Sequence, residues 1–356
     1  MLIFTNRLLT AGTDETVFST RFTEQSDRLG LATVRKTGQG WSVSGVDNDV
    51  DDQDAMGALR PLFEGSRPVL VYLHGNNNTP AKCFARCATL EAMYNVQVIG
   101  FSWPSEGYLS NGDKLPEVEP DTEDGYEDDL SGVAVGKQKP SRIKSKILRY
   151  QRAKTNAINS GEALARFFRM IAAARLFINR QPFTVAAHSL GAHFLQYSLD
   201  VAGATESVAA AQNVALLAPC VRSSGHRDWL ANVRPKGQVL VTFNKNDTVL
   251  AGAFVADKSQ LKLGAAPGSE LLRASHMRYV SFTNGEVGKG GHGYFVNDGM
   301  PKRMKLLFAR VFSSERDLQG DDAPKKVYLV GCDADGLICY MGAPGIPGIA
   351  GQPIDA

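Results

Sequence analysis

The chain has little cysteine, no long apolar run and almost no net charge, and each shortage closes off a class of protein. Its five cysteines, Cys83, Cys87, Cys220, Cys332 and Cys339, are odd in number and scattered, which speaks against a disulfide-built fold. Cys83 and Cys87 stand four apart in a helical pattern. Without a second Cys or His pair at ligand spacing they read as buried thiols, and no metal is expected. No run approaches the roughly 18 apolar residues of a membrane span, and the opening MLIFTNRLLTAGTDE has no basic region leading into an apolar segment and a cleavage site. A soluble, cytoplasmic protein is therefore the expectation. The net charge of +2 is too small to point to nucleic acid.

What the 356 residues do supply is enough chain for one large core with attachments. Residues 1–66 read as short strands and turns, a small antiparallel-leaning N-terminal element. Within it, VDNDVDDQD resembles a calcium loop but has Asp52 where that loop needs glycine and Ala58 where it needs glutamate. It is read as an acidic turn entering a helix. From residue 67 to 313 the pattern changes. PVLVYL, VQVIGF, FTVAA, NVALLA, QVLVTF and MRYVSF are short, apolar and rich in Val and Phe, as strands buried on both faces are. Between them the spacing predicts helices over 80–94, 152–178, 190–203 and 294–312. That alternation predicts an α/β fold with a mostly parallel, doubly wound sheet.

Two stretches interrupt or follow this rhythm. Residues 104–151 form a charged insertion, with eight acids in EVEPDTEDGYEDD (117–129) and eight Lys or Arg between Lys137 and Lys154. It is either a cap over a site or a loose loop, and length does not choose. Residues 314–356 read as a hairpin around DADG followed by a tail with Gly342, Gly345, Gly348 and Gly351 at period three, too few triplets for a collagen helix.

The chemistry centres on Ala187-His188-Ser189-Leu190-Gly191. A nucleophilic serine on a sharp strand-to-helix turn tolerates only small residues two before and two after it, and this pentad has Ala and Gly there. The strand FTVAA precedes it and a helical pattern follows it. The amide of Leu190, at that helix's start, is the first expected donor to an oxyanion. A second is expected from Asn76 in VLVYLHGNNNTP, where Gly75 lets the backbone approach a substrate. Gly75, Asn77 and His188 are expected to line the substrate pocket.

These residues resemble the α/β-hydrolase superfamily, in particular its uncharacterised esterase/lipase-like branch, with an HG-N-rich loop, a strand ending FSWPS (here VQVIGFSWPSEG) and an AHSLG turn. YQRAKTNAINSGEALARFFRMI is also similar to the helix before the nucleophile strand in that branch. The resemblance covers about residues 66–312 and implies a serine, an acid after a later strand and a final histidine, in that order. Asp247, after QVLVTF, fits the acid, with Asp228 as the runner-up. His292, in the glycine-rich loop after MRYVSF, fits the base. Gly288, Gly290 and Gly293 in the same loop match a dinucleotide fingerprint, but too little chain follows to build a nucleotide domain, and no cofactor is expected. The expected activity is hydrolysis of small carboxylic esters, short-chain or polar, because the insertion is not apolar. An amidase, lactonase or thioesterase on the same groups, and a non-catalytic binding or scaffold protein, are the alternatives. The sequence does not reveal an oligomeric state.

Overall fold

Residues 1–115, 130, 133–134, 139–178, 181–285, 287–288, 290–315, 331–332 and 337–342 are described by a computed structural model. The acidic part of the insertion, the DADG tip and the glycine-periodic tail lie outside these residues. The chain begins with strands β1 (Leu2–Thr5), β2 (Arg7–Leu9), β3 (Phe18–Phe22), β4 (Gly30–Thr37) and β5 (Gly40–Asp47), then helix α1 (Asp52–Glu64). The acidic turn does enter a helix: the Asp51 carboxylate accepts from the Asp54 amide at 2.8 Å and caps α1. The elements that follow are β6 (Val69–Leu73), α2 (Pro80–Tyr94), β7 (Gln97–Phe101), α3 (Pro140–Asn159), α4 (Gly161–Ile178) and β8 (Phe183–His188). Next come α5 (Gly191–Ser198), α6 (Ala204–Ala209), β9 (Asn213–Leu217), α7 (His226–Leu230), β10 (Val239–Phe243), α8 (Thr248–Ala256) and β11 (Met277–Asn284). The last described elements are α9 (Lys302–Phe312), β12 (Gly331–Cys332) and β13 (Ile338–Gly342).

Among the described residues eleven strands form one sheet in the order β12-β13-β11-β10-β9-β8-β6-β7-β1-β4-β5, while β2 and β3 pair apart from it. All six apolar runs are strands of this sheet and pair in parallel. Every residue of β6, β8, β9 and β10 is buried, which is why those runs carry no polar alternation. The N-terminal strands extend the same sheet: β1 lies parallel to β7, with Leu2 opposite Ile99, and β4 and β5 continue antiparallel from it. At the far edge β12 and β13 form an antiparallel pair that joins β11.

Three predicted helices differ from the observed ones, the stretch 190–203 being helical only over Gly191–Ser198. The stretch 152–178 is two helices, broken at Ser160, whose hydroxyl accepts from the Asn6 side chain at 2.7 Å. The stretch 294–312 is a single 3₁₀ turn at Tyr294–Val296 followed by α9. There Pro301, which has no N–H to donate, sets the start of the helix. Cys83, Cys87 and Cys220 are buried and not in disulfides. Cys339 on β13 is disulfide-bonded, a bond of which the scattered cysteine pattern gave no sign.

The chain leaves β6 to form β7 on one side and returns to form β8 on the other. Such a reversal opens a crevice beyond the carboxyl ends of the two central strands. Register brings Leu73 beside Ala187 and Phe243 beside Ser281, so the loops after β6 and β8 are neighbours, as are those after β10 and β11.

Candidate active site

Ser189 follows β8 with φ 51°, in the left-handed region that a side chain occupies only under constraint. The constraint is visible in the backbone. The Ser189 amide donates to the Leu217 carbonyl at 2.9 Å, and the Ser189 carbonyl accepts from Cys220 at 3.0 Å and from Ala192 at 3.1 Å. The glycine two residues on is required by packing. A Cβ on Gly191 would stand 2.6 Å from the Leu73 carbonyl oxygen and 2.7 Å from that of His74, so only glycine lets α5 start against the end of β6. Leu190 is the N-cap of α5 and makes no side-chain capping bond, and the positive end of the helix lies at the serine turn.

The HGNNN loop lies directly against this turn. A Cβ on Gly75 would be 2.9 Å from the Ser189 Cβ and 3.3 Å from Nδ1 of His188. His74 is a buried brace: its Nε2 accepts from the Trp103 amide at 3.1 Å, so Nδ1 carries the proton and donates to the Gly75 carbonyl at 3.0 Å. The Trp103 indole stacks on the His74 ring and donates to its carbonyl at 2.9 Å. Burial pushes the His74 pKa down to about 3, so the brace is a neutral imidazole. Asn78 pins the loop from the other side, its amide nitrogen donating to the carbonyls of Asn76 at 2.7 Å and Gly75 at 3.3 Å. A trans peptide points its N–H opposite its carbonyl, so fixing the Gly75 carbonyl aims the Asn76 amide away from His74 and Asn78. Asn77, at φ 52°, donates its amide to the Ser105 carbonyl at 2.9 Å and is half-buried.

These contacts explain FSWPSE. Trp103 and Ser105 clamp the HGNNN loop, and buried Arg7 holds them in turn, donating to the Trp103 carbonyl at 2.9 Å and pairing with Glu106. Residue patterning alone missed Trp103, Ser105 and Arg7. An arginine directly before the apolar pair Leu8-Leu9 in NRLL was the available signal, since a guanidinium next to core positions needs partners.

Asp247 and His292, far apart in sequence, meet in the buried space beyond β10 and β11. His292 Nδ1 donates to Asp247 Oδ2 at 2.6 Å, which leaves Nε2 as the basic nitrogen. The other carboxylate oxygen, Oδ1, accepts from the amides of Val249 at 3.0 Å and Leu250 at 2.9 Å, so Asp247 is also the N-cap of α8. The glycines place the histidine. The carbonyl of Gly290 accepts from Thr248 at 3.1 Å and that of Gly291 from the Asn244 side chain at 2.9 Å. Both glycines have positive φ, and a Cβ on Gly291 would lie 2.4 Å from Asn244. The apparent dinucleotide fingerprint is thus the loop that carries His292. Asp228 is exposed on α7 and is not the residue that meets His292.

His188 turns its ring inward, 4.7 Å from the His292 ring and 4.9 Å from Phe295. Burial first, then the nearby His292 and Arg86, hold its pKa well below the usual imidazole value. Behind the serine, Cys220 Sγ lies 3.2 Å from the Tyr150 hydroxyl, which donates to Asp257 at 3.0 Å. Lys154 and Lys262 both pair with the same carboxylate. Burial works to raise the Asp257 pKa, yet the two ammoniums bring it down to about 2. This cluster fastens α3 over the loop after β9. Among the described residues no three His, Cys, Asp or Glu side chains converge as a metal site requires.

Residues 62–297, well over half the chain, match the family described as "Alpha/beta hydrolase of unknown function (DUF900)". No curated protein and no solved structure matches the chain.

Proposed function

The chain belongs to this family of alpha/beta hydrolases, and on that premise we propose that it cleaves carboxylic esters through Ser189, His292 and Asp247. The observation that carries the reading is the 2.6 Å bond joining Asp247 to His292 at the strand ends beside the serine turn. A structural histidine has no need of a buried carboxylate that orients one ring nitrogen and leaves the other basic.

In this reading His292 Nε2 takes the Ser189 hydroxyl proton as Oγ bonds to the ester carbonyl carbon. The carbonyl oxygen becomes an oxyanion, held by the amides of Leu190 and Asn76. Collapse breaks the bond to the alcohol oxygen, which leaves with the proton from His292. Water then repeats the sequence on the acyl-enzyme, His292 taking its proton, and releases the acid. Asp247 holds the imidazole in the required tautomer and stabilises the imidazolium. Gly75, Asn77 and His188 shape the pocket wall, and the charged insertion favours short-chain or polar esters over long acyl chains.

The test is hydrolysis of p-nitrophenyl esters from acetate to palmitate, with fluorophosphonate labelling of the folded protein. The expected result is labelling of Ser189 and turnover that declines with chain length. Full activity in Ser189→Ala, or no adduct on the folded protein, would sink the proposal and favour a scaffold.

A further inference from the structure

Two residues beyond His292, the side chain of Tyr294 packs into the core against β10 and β11. It is fully buried, and its ring stacks on Phe282 of β11 with centroids 4.5 Å apart. A buried phenol needs a partner for its hydroxyl, and this one lies 2.6 Å from Oγ1 of Thr242. In β10, which reads VLVTF, Thr242 is the polar residue, fully buried where valine, equally β-branched, would fill the same space. The bonds around it have one consistent direction. Thr242 Oγ1 accepts from the Ala218 amide at 3.0 Å and donates its single proton to the Leu216 carbonyl at 3.3 Å, so Tyr294 is the donor to Thr242. One hydroxyl oxygen thereby joins β9, β10 and the loop that carries His292.

The part of β9 that Thr242 grips also holds the serine turn. Leu217, between Leu216 and Ala218, accepts from the Ser189 amide at 2.9 Å, and the Cys220 amide donates to the Ser189 carbonyl at 3.0 Å. Ala218 has φ 44°, a left-handed backbone that a side chain occupies only under constraint, and its amide is the group bonded to Thr242. A continuous path of hydrogen bonds and backbone therefore runs through the core from Ser189 by way of Leu217, Ala218, Thr242 and Tyr294 to His292.

We propose that the hydroxyls of Tyr294 and Thr242 are positioning groups, which fix how far His292 Nε2 stands from the Ser189 hydroxyl. The inference rests on the reading of Ser189 as nucleophile and His292 as base. Both hydroxyls are committed to each other and to the β9 backbone, so neither is available to a substrate. Losing either one therefore slows proton transfer while substrate binding is kept.

Tyr294→Phe and Thr242→Val each delete one hydroxyl and keep the bulk of the side chain. With p-nitrophenyl acetate each is expected to lower kcat at least about tenfold, since a displacement on the order of 1 Å costs about 100-fold, and to leave KM within about twofold. The double variant should be little worse than the worse single one, because the two hydroxyls act on one path. Tyr279→Phe is the control. It removes another fully buried hydroxyl from the same sheet, bonded to Nε2 of His226 at 2.9 Å near the start of β11, and should cost stability without changing kcat. Crystal structures of the wild type and Tyr294→Phe give a readout free of substrate, in which the separation of Ser189 Oγ from His292 Nε2 should change in the variant. A Tyr294→Phe enzyme with wild-type kcat, an unchanged separation, or a loss of kcat that Tyr279→Phe shares overturns the proposal. A wild type that neither hydrolyses the ester nor takes a fluorophosphonate would instead overturn the esterase reading, and the separation would still decide the role of the two hydroxyls.

Discussion

Gly75 stands so close to Ser189 that a single added carbon would lie 2.9 Å from the serine Cβ. Real Cβ atoms do not approach so near, and the neighbour that would have to yield is the strained turn itself. The loop after β6 and the turn after β8 thus fix one another.

Gly75→Ala should therefore fold and fail. The added methyl pushes the HGNNN loop and the serine apart, and displacements on the order of 1 Å reduce turnover about 100-fold. Steady-state kinetics beside a thermal melt checks this, and a variant within a factor of two of wild type would show that the two loops are not coupled.

The left-handed backbone of Ser189 is a reserve of strain. Ser189→Gly and Ser189→Ala both remove the hydroxyl, so comparing them isolates the backbone. Glycine should be the more stable by about 1 kcal/mol, the usual order for relieving a non-glycine residue in this region. Equal melting temperatures would mean that the turn is not strained.

Asp247 has two tasks that two substitutions separate. Asp247→Asn can still cap α8, as asparagine is a good N-cap, but cannot hold the imidazole in its required tautomer. It should keep near-native stability and lose about 10⁴-fold in kcat. Asp247→Ala should lose activity and also about 1 kcal/mol of stability through the missing cap. Urea titrations and initial rates on the pair decide the matter.

Stability should fall on acidification independently of catalysis. Burial lowers the pKa of His74 and His193 to about 3 and that of His188 well below its ordinary value. Between about pH 6.5 and 3 the unfolded chain binds protons at His74 and His193 and the folded one does not. Unfolding is thus favoured as pH drops, by up to about 1.4 kcal/mol per pH unit for each histidine, and stability is flat above this window. His74→Gln should flatten the slope measured by urea denaturation between pH 4 and pH 6.5, about the range where U and N differ. On the proposed mechanism activity should fall in the same direction, since a histidine general base stops working once it carries a proton. Circular dichroism at each pH separates that loss from unfolding.

The central strands and the turn at Ser189 were legible because each depends on local pattern, doubly buried apolar runs and a small-x-Ser-x-Gly pentad; Asp247 and His292 were expected from the order that the family resemblance implies, and the structure brings these two side chains together. The joining of β1 to β7 was not legible. It rests on a register between Leu2 and Ile99 that no short window contains. At the break between α3 and α4, Ser160 takes a hydrogen bond from Asn6, 154 residues away. The double role of Asp247 left a readable trace, an Asp-Thr before the apolar TVLAGAFVA, which is an N-cap pattern. The inward turn of His188 had no such trace, since its neighbours Phe295 and His292 come from another loop.

Arg7 lies outside the residues that match the family, yet its guanidinium holds the Trp103 carbonyl across 96 residues of chain, and Trp103 holds His74 across another 29. Contacts of such separation form slowly, because the intervening loop loses its freedom before the bond compensates. The HGNNN loop is therefore expected to take its final shape late in refolding, after the central strands have paired. A stopped-flow experiment should find ester turnover returning more slowly than far-ultraviolet ellipticity. In Arg7→Met the two should separate further, with the sheet intact and the amide of Asn76 still searching for its place.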